Sequence, residues 1–395
     1  MQIAFFTNFY LPVVNGVSRS VETFREELTK QHHNVFIFAQ QANNGYEDKV
    51  PFIFRYPALT LPVSAEVPAV IPVSPFADQL LPLLKPDVIH THHPILLGQT
   101  AARKAKELNV PLVFTFHTRY QEYTHYFPLP QETIQEFIKN AIQSWLKTFM
   151  RLCQHIIVPS ESIKEILVRD YGLQDQYTVI PTGMDLTPFA QADGKELRRR
   201  MGWQNDKVLI SIGRLAQEKN WPVLLEAVKE VLCTHSDLRV VIIGDGVEKD
   251  NLQTLTAELG IVEQVTFTGE VPFSEIPAYL KAADLFSFAS ITETQGLVTM
   301  EAMAAGLPVV AVDGSGTRDI VEEGKQGFLV PNDAAALAKS INQVLDSPSL
   351  MKKFKRHSLI KAKTFDVETQ ATRLVELYKQ AIEDKANERY VTIEG

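Results

Sequence analysis

Asp284-Leu-Phe-Ser-Phe-Ala-Ser290, followed closely by Glu293-Thr-Gln-Gly-Leu-Val-Thr-Met-Glu301, reads as a strand, a short turn with glycine, and a helix that opens near Gly296. Unpaired backbone N–H groups and the helix dipole favour an anion at such an N-terminus, so the turn is suited to phosphate. Glu293 falls at the end of the strand. Glu301 falls one or two turns into the helix, where a carboxylate can accept hydrogen bonds from two neighbouring hydroxyls, as on a ribose. Phosphate beside diol points to a nucleotide. A surface helix with two unrelated glutamates has the same local pattern, so the decision rests on the rest of the chain.

Three further strand ends add to it. After Val208-Leu-Ile-Ser-Ile212 come Gly213-Arg214-Leu215 and Glu218-Lys219, and a buried strand seldom ends on two cations without an anion to meet. Pro111-Leu-Val-Phe-Thr-Phe116 runs into His117. Ile3-Ala-Phe-Phe6 leads through Tyr10-Leu-Pro-Val-Val-Asn-Gly-Val17 to a helix, with Gly16 letting the backbone approach a ligand closely. Singly, a histidine at a strand end reads as a structural hydrogen-bonder and Asn-Gly as a turn.

Short apolar runs alternate with helical patterns along the whole chain. The first half has Ile3–Phe6, Val35–Ala39, Phe52–Phe54, Val88–Thr91, Leu112–Phe116, Ile156–Val158 and Val179–Pro181. The second has Val208–Ile212, Val240–Ile243, Val265–Thr268, Leu285–Ala289, Val309–Val312 and Phe328–Val330. Such runs predict an α/β fold of parallel sheets covered on both faces. With 395 residues and 45% hydrophobic content, two domains with full cores are expected. The polar segment Leu186–Lys207 reads as the linker between them.

Taken in order, Asn15-Gly16-Val17, His117, Pro181-Thr-Gly-Met-Asp185, Gly213-Arg214 with Glu218-Lys219, and the Glu293/Glu301 pair resemble the retaining family 4 glycosyltransferases of GT-B fold. The resemblance implies two Rossmann-like domains facing a central cleft. Residues 1–185 would be the acceptor-binding domain, joined by a C-terminal helix at about 366–390, and 186–365 the nucleotide-sugar domain. It also implies that Arg214 and Lys219 bind the diphosphate and take up the charge of the departing nucleotide, the sort of term that dominates a transfer barrier. Gly16 and the N–H groups around Gly296, Leu297 and Val298 would add donors to the same phosphates. Glu301 would hold the ribose, Glu293 a sugar hydroxyl, Val271 the base, and His117 the 6-hydroxyl of the transferred hexose. Retention of configuration, by front-face substitution, follows from the resemblance alone.

Competing chemistries lack their motifs. A dehydrogenase needs Gly-x-Gly-x-x-Gly, but the second half offers Gly244-Asp-Gly246 with Lys249 in the third glycine position. No Gly-x-x-x-x-Gly-Lys-Ser/Thr and no Asp-x-Asp occurs, so neither P-loop chemistry nor a metal-bridged diphosphate is expected. No cofactor and no metal is expected; the nucleotide sugar is itself the substrate. Cys153 and Cys233 form neither a metal spacing nor a disulfide framework, which fits a reducing cytoplasm. No run approaches about 18 apolar residues. A net charge of −8 argues against a nucleic-acid partner.

The acceptor is read from His117-Thr-Arg-Tyr-Gln-Glu-Tyr-Thr-His-Tyr-Phe127, with Tyr120, Tyr123, His125 and Tyr126. Local packing of three tyrosines on one side of a turn would account for it. It also resembles the corresponding stretch of the diacylglycerol glucosyltransferases, although Arg119 occupies a variable position. That resemblance implies UDP-glucose as donor, diacylglycerol as acceptor, and peripheral work at an anionic membrane surface. Other donors or acceptors (mannosyl, galactosyl or sulfoquinovosyl transfer, or a soluble acceptor) and a nucleotide-sugar-binding protein without turnover remain the alternatives. Two stretches fit a lipid: the proline-punctuated segment 58–76, and a helix from Ile134 whose apolar stripe includes Trp145 and Phe149, opposite Lys139, Lys147 and Arg151. Such a stripe lies in a membrane interface or packs in a core.

Overall fold

Each apolar run is too short for a stable helix and is rich in β-branched and aromatic residues, which suit a pleated surface. In the computed structural model, which describes residues 1–42, 45–59, 69–119 and 132–394, these runs are strands. They are β1 (Gln2–Thr7), β2 (Asn34–Gln40), β3 (Ile53–Tyr56), β4 (Ala58–Leu59), β5 (Ala69–Val70), β6 (Val88–Thr91), β7 (Leu112–Thr115), β8 (His155–Val158) and β9 (Tyr177–Val179). They continue with β10 (Lys207–Ile212), β11 (Leu238–Ile243), β12 (Val265–Gly269), β13 (Leu285–Phe288), β14 (Val309–Val312) and β15 (Gly327–Val330). A seven-stranded sheet has the order β3-β2-β1-β6-β7-β8-β9 and a six-stranded sheet the order β12-β11-β10-β13-β14-β15. All pairings in both are parallel. The small antiparallel pair β4–β5 has no counterpart in the sequence reading.

The chain divides into two compact units, Met1–Gly183 with Val367–Gly395, and Met184–Asp366. In the first, the helix Gly16–Lys30 sets Val21, Phe24 and Leu28 against Ile3, Phe5 and Val35. The last helix, Val367–Ala386, adds Leu374, Tyr378 and Ala381 to the same cluster.

Two expectations are corrected. The segment Leu186–Lys207 is no linker: it forms the helices Thr187–Gln191 and Lys195–Met201 within the second unit, and buries Phe189, Leu197 and Trp203. A Cβ on Gly194 would meet the backbone of Lys281 and Ala282 at 2.2–2.5 Å, so the segment lies tight against its own unit. Polarity marked its outer face, and its three buried apolar anchors outweighed that.

The second concerns the helix Glu132–Met150. Leu146, Phe149 and Met150 are buried in the first unit's core, with Ile142 and Trp145 packed against it. Trp145 is partly buried and stacks on Phe149 with centroids 6.3 Å apart, so much of the stripe is spent on the core. Lys139 is exposed and Lys147 half-buried. Among the described residues no helix is long and apolar enough to cross a membrane.

Candidate active site

The second sheet reverses direction between β10 and β13, and the carboxyl ends on either side of such a reversal are where open α/β sheets bind ligands. Beyond β10 the chain is held by its backbone. Leu215 N–H donates to the Asp245 carbonyl at 2.8 Å, its own carbonyl accepts from Glu248 N–H at 3.0 Å, and Trp221 Nε1–H donates to the Arg214 carbonyl at 3.0 Å. A Cβ on Gly244 would stand 2.0 Å from the Gly213 oxygen, which is why glycine stands there. With its main chain fixed, Arg214 projects a half-exposed side chain that pairs with the nearly buried Glu218. Burial alone would raise the Glu218 carboxyl, but a backbone N–H and the Arg214 guanidinium outweigh it and hold it below the usual range.

Lys219 follows in a single 3-10 turn that Asn220 ends in the left-handed region, φ +57°. The Asn220 amide donates to the Ala289 carbonyl at 3.1 Å, tying this turn to the end of β13. The Lys219 ammonium pairs with Glu293 and lies 5.9 Å from the Phe288 ring centroid. Ser290 Oγ donates to the same Glu293 oxygen at 2.9 Å. Lys219 and Glu293 are only 20% and 14% exposed at the side chain, so neither charge is held by bulk water alone.

Three residues on, Gly296 opens the helix Leu297–Ala304 at φ +80°, with no side chain capping it. Glu301 lies in the second turn, recessed and 2% exposed. Leu297, Val298 and Val271 all pack against the same hydrophobic cluster. The structure therefore brings Arg214, Lys219, Glu293, Gly296, Leu297, Val298 and Glu301 to one end of the second sheet, with Val271 just past β12.

Sequence reasoning missed the brace behind this loop. Ser315 Oγ donates to the Glu293 carbonyl at 3.0 Å. At Gly316, φ +75°, a Cβ would fall 2.7 Å from that same oxygen. The signal was legible as Gly314-Ser-Gly-Thr317, one residue past β14, and Ser290 as the last residue of the quoted strand.

Gly16 and His117 belong to the first unit. Its sheet reverses between β1 and β6, and a cluster of imidazoles sits at that end. His117 Nε2 is 3.0 Å from His92 Nδ1. His90 lies between the Tyr378 hydroxyl and Thr115 Oγ1, each 2.7 Å away. His93 Nδ1 accepts from Asn8 N–H at 3.1 Å. Burial pushes His93 and His117 down to about 3, and His90 and His92 well below their ordinary value, so all four are neutral near pH 7. Gly16 is exposed at the start of its helix, but the N–H groups of Val17 and Ser18 already donate to Asn15 Oδ1 at 3.0 and 2.9 Å. Of the donors at this helix start, two are therefore taken by its own cap, and the Gly16 N–H is not one of them. Tyr120, Tyr123, His125 and Tyr126 lie outside the described residues, as do residues 60–68 of the proline-punctuated segment. Among the described residues no group of three or more His, Cys, Asp or Glu is placed to hold a metal ion.

Comparison with known proteins follows the same division. Residues 14–188 match Glycosyltransferase Family 4, and residues 193–360 match Glycosyl transferases group 1. The chain is 32% identical over 391 residues to an alpha-monoglucosyldiacylglycerol synthase of Streptococcus pneumoniae, covering 97% of this chain and 86% of that one. It is 30% identical to the synthase of the same name from Acholeplasma laidlawii, covering 98% and 99%. A GDP-mannose-dependent alpha-mannosyltransferase of Corynebacterium glutamicum is 29% identical, covering 84% and 76%. Among solved structures, sucrose-phosphate synthase from Thermosynechococcus elongatus superposes with a TM-score of 0.79 at 21% identity, covering 97% and 99%. The chain belongs to the family 4 glycosyltransferases, enzymes of GT-B fold.

Proposed function

We propose that this glycosyltransferase moves glucose from UDP-glucose to the free hydroxyl of diacylglycerol, with retention of configuration and without a metal ion, at the cytoplasmic face of a membrane. The observation that carries the reading is the near full-length likeness to two synthases whose names specify that product. The second unit supplies the chemistry the reading needs. Lys219 and Arg214 stand at one strand end and the uncapped helix at Gly296 at the neighbouring one. A diphosphate placed there meets two cations and a dipole of favourable sign, which stabilises negative charge on the leaving group. Glu293 and Glu301 take the hydroxyls of sugar and ribose, and Val271 offers an apolar contact to the base. From the first unit, neutral His117 meets the hexose.

The test is a panel of radiolabelled UDP-glucose, UDP-galactose and GDP-mannose, supplied with diacylglycerol in mixed micelles. UDP-glucose is expected to give the organic-extractable label. Label only from GDP-mannose would move the chain toward the mannosyltransferases it also resembles. The same assay in excess EDTA is expected to run at the untreated rate; loss of activity that one divalent ion restores would end the metal-free reading.

A further inference from the structure

His92 carries no role in the reading above, yet among the described residues no other side chain makes a hydrogen bond to His117. It follows β6, is 1% exposed, and its ring is confined on two sides: by Phe5, edge-on at 5.0 Å, and by His90 at 4.2 Å. His90 is itself pinned at both nitrogens by Tyr378 and Thr115. The His92 and His117 rings lie 24° from parallel, joined through Nδ1 of the first and Nε2 of the second at 3.0 Å. The other nitrogen of His92, Nε2, is buried with no hydrogen-bond partner.

That last fact decides the proton positions. A proton on His92 Nε2 would leave a buried N–H unsatisfied, which native structures avoid more strictly than a bare acceptor. The proton is therefore on Nδ1, donating to His117 Nε2. His117 accepts at Nε2, so being neutral it carries its own hydrogen on Nδ1. We propose that His92 is the positioning residue for His117: it fixes the ring and selects the tautomer in which His117 presents Nδ1–H as a donor to a sugar oxygen. His117 is then a donor by construction, whereas a free imidazole would divide between two tautomers and many ring angles.

This rests on the assignment of His117 to the transferred sugar, and the experiment separates the two. Ring-nitrogen NMR on the full chain at pH 7.5, with peaks assigned from single variants, is expected to show both His92 and His117 neutral with the hydrogen on Nδ1. In His92→Leu, His117 is expected to lose that preference. Its kcat should fall about 10- to 100-fold, the scale of misplacing a substrate-contacting group, with the donor KM within about twofold. His92→Asn places an amide donor near the Nδ1 position and is expected to recover most of the loss in both readouts. His92→Leu combined with His117→Ala should be no slower than His117→Ala alone. A wild-type kcat in His92→Leu while His117→Ala is impaired would overturn the proposal and leave the His117 assignment standing. So would additive losses in the double variant, or a hydrogen on Nε2 of His117 in the wild type. Full activity in His117→Ala would overturn both.

Discussion

Each unit has one place where its strand order reverses, and the two are furnished in opposite ways. Beyond β10 and β13 the second unit gathers charge: Lys219 on Glu293, Arg214 on Glu218, and an uncapped helix start. Beyond β1 and β6 the first unit gathers buried imidazoles that burial keeps neutral, and its helix start is closed by Asn15. One sheet topology thus supports two electrostatic settings, and the side chains just past the strand ends choose between them. A charged setting suits a ligand that arrives charged; a neutral one suits hydroxyls.

The sharpest way to break this contrast is Lys219→Ala. If the charged end does the chemistry, kcat should fall by about 10²-fold or more, as when one oriented charge-stabilising donor is lost. Near-wild-type turnover would remove the assignment. Glu301→Gln should act on binding, raising the KM for the nucleotide sugar by about tenfold, the scale of a lost charged hydrogen bond. An unchanged KM would take the ribose away from Glu301.

The contrast also predicts different responses to acid. In the unfolded chain a histidine takes up a proton near pH 6.5, but His93 in the folded first unit stays neutral to about 3, and burial holds His90 and His92 well below their ordinary value too. Between those limits the unfolded state binds more protons, so stability is present above about pH 6.5 and is lost as pH falls. The slope is about 1.4 kcal/mol per pH unit for each such histidine. Glu218 in the second unit is a depressed carboxylate; its contribution holds above the unfolded carboxyl value and is lost only as pH falls through the folded one. Tryptophan reads the units separately, because Trp145 lies in the first and Trp203 and Trp221 in the second. Urea midpoints reported by Trp145 should drop between pH 7 and 5 more than those of the other two. Equal drops would mean that the imidazoles titrate in place.

The smallest effect expected is at the membrane. With Leu146, Phe149 and Met150 in the core and Trp145 packed on it, the apolar stripe gives little argument for insertion, and the exposed Lys139 is left as a surface charge worth about 1 kcal/mol near anionic lipid. Lys139→Glu should weaken co-sedimentation with anionic vesicles about fivefold at low salt, and scarcely at high salt. Indifference to the substitution would exclude this helix from contact.

The same physics explains what was legible in the chain. Twelve of the thirteen apolar runs fall largely in strands, because a fully buried parallel strand must be apolar throughout and short; Val179–Pro181 shares only Val179 with the half-buried β9. The helix at Gly296 was readable from one glycine between a strand and an apolar segment. The linker was misread because Phe189 and Trp203 are spaced too widely to show a period. The His92–His117 pair was hidden because it joins residues from the ends of two different strands, and no local pattern records that register. The cap at Asn15 was hidden for a related reason: Asn-Gly names a turn, and the pattern alone does not say that the Asn15 side chain takes the N–H groups of Val17 and Ser18.

Gly183 passes so close to Val367 that a Cβ on it would stand 2.6 Å from that residue's Cα, and Met184 N–H donates to the Phe365 carbonyl at 2.8 Å. Each unit therefore has its own two chain ends side by side. In genetic terms the second unit is an insert: residues 184–366 leave and rejoin the first unit's fold at a single spot, the arrangement in which domain insertion is best tolerated. A gene joining codon 183 to codon 367 would splice ends that already meet, and one encoding 184–366 alone would encode a chain whose two ends already meet. Such a layout would let a lineage exchange its second unit for another without redrawing the first.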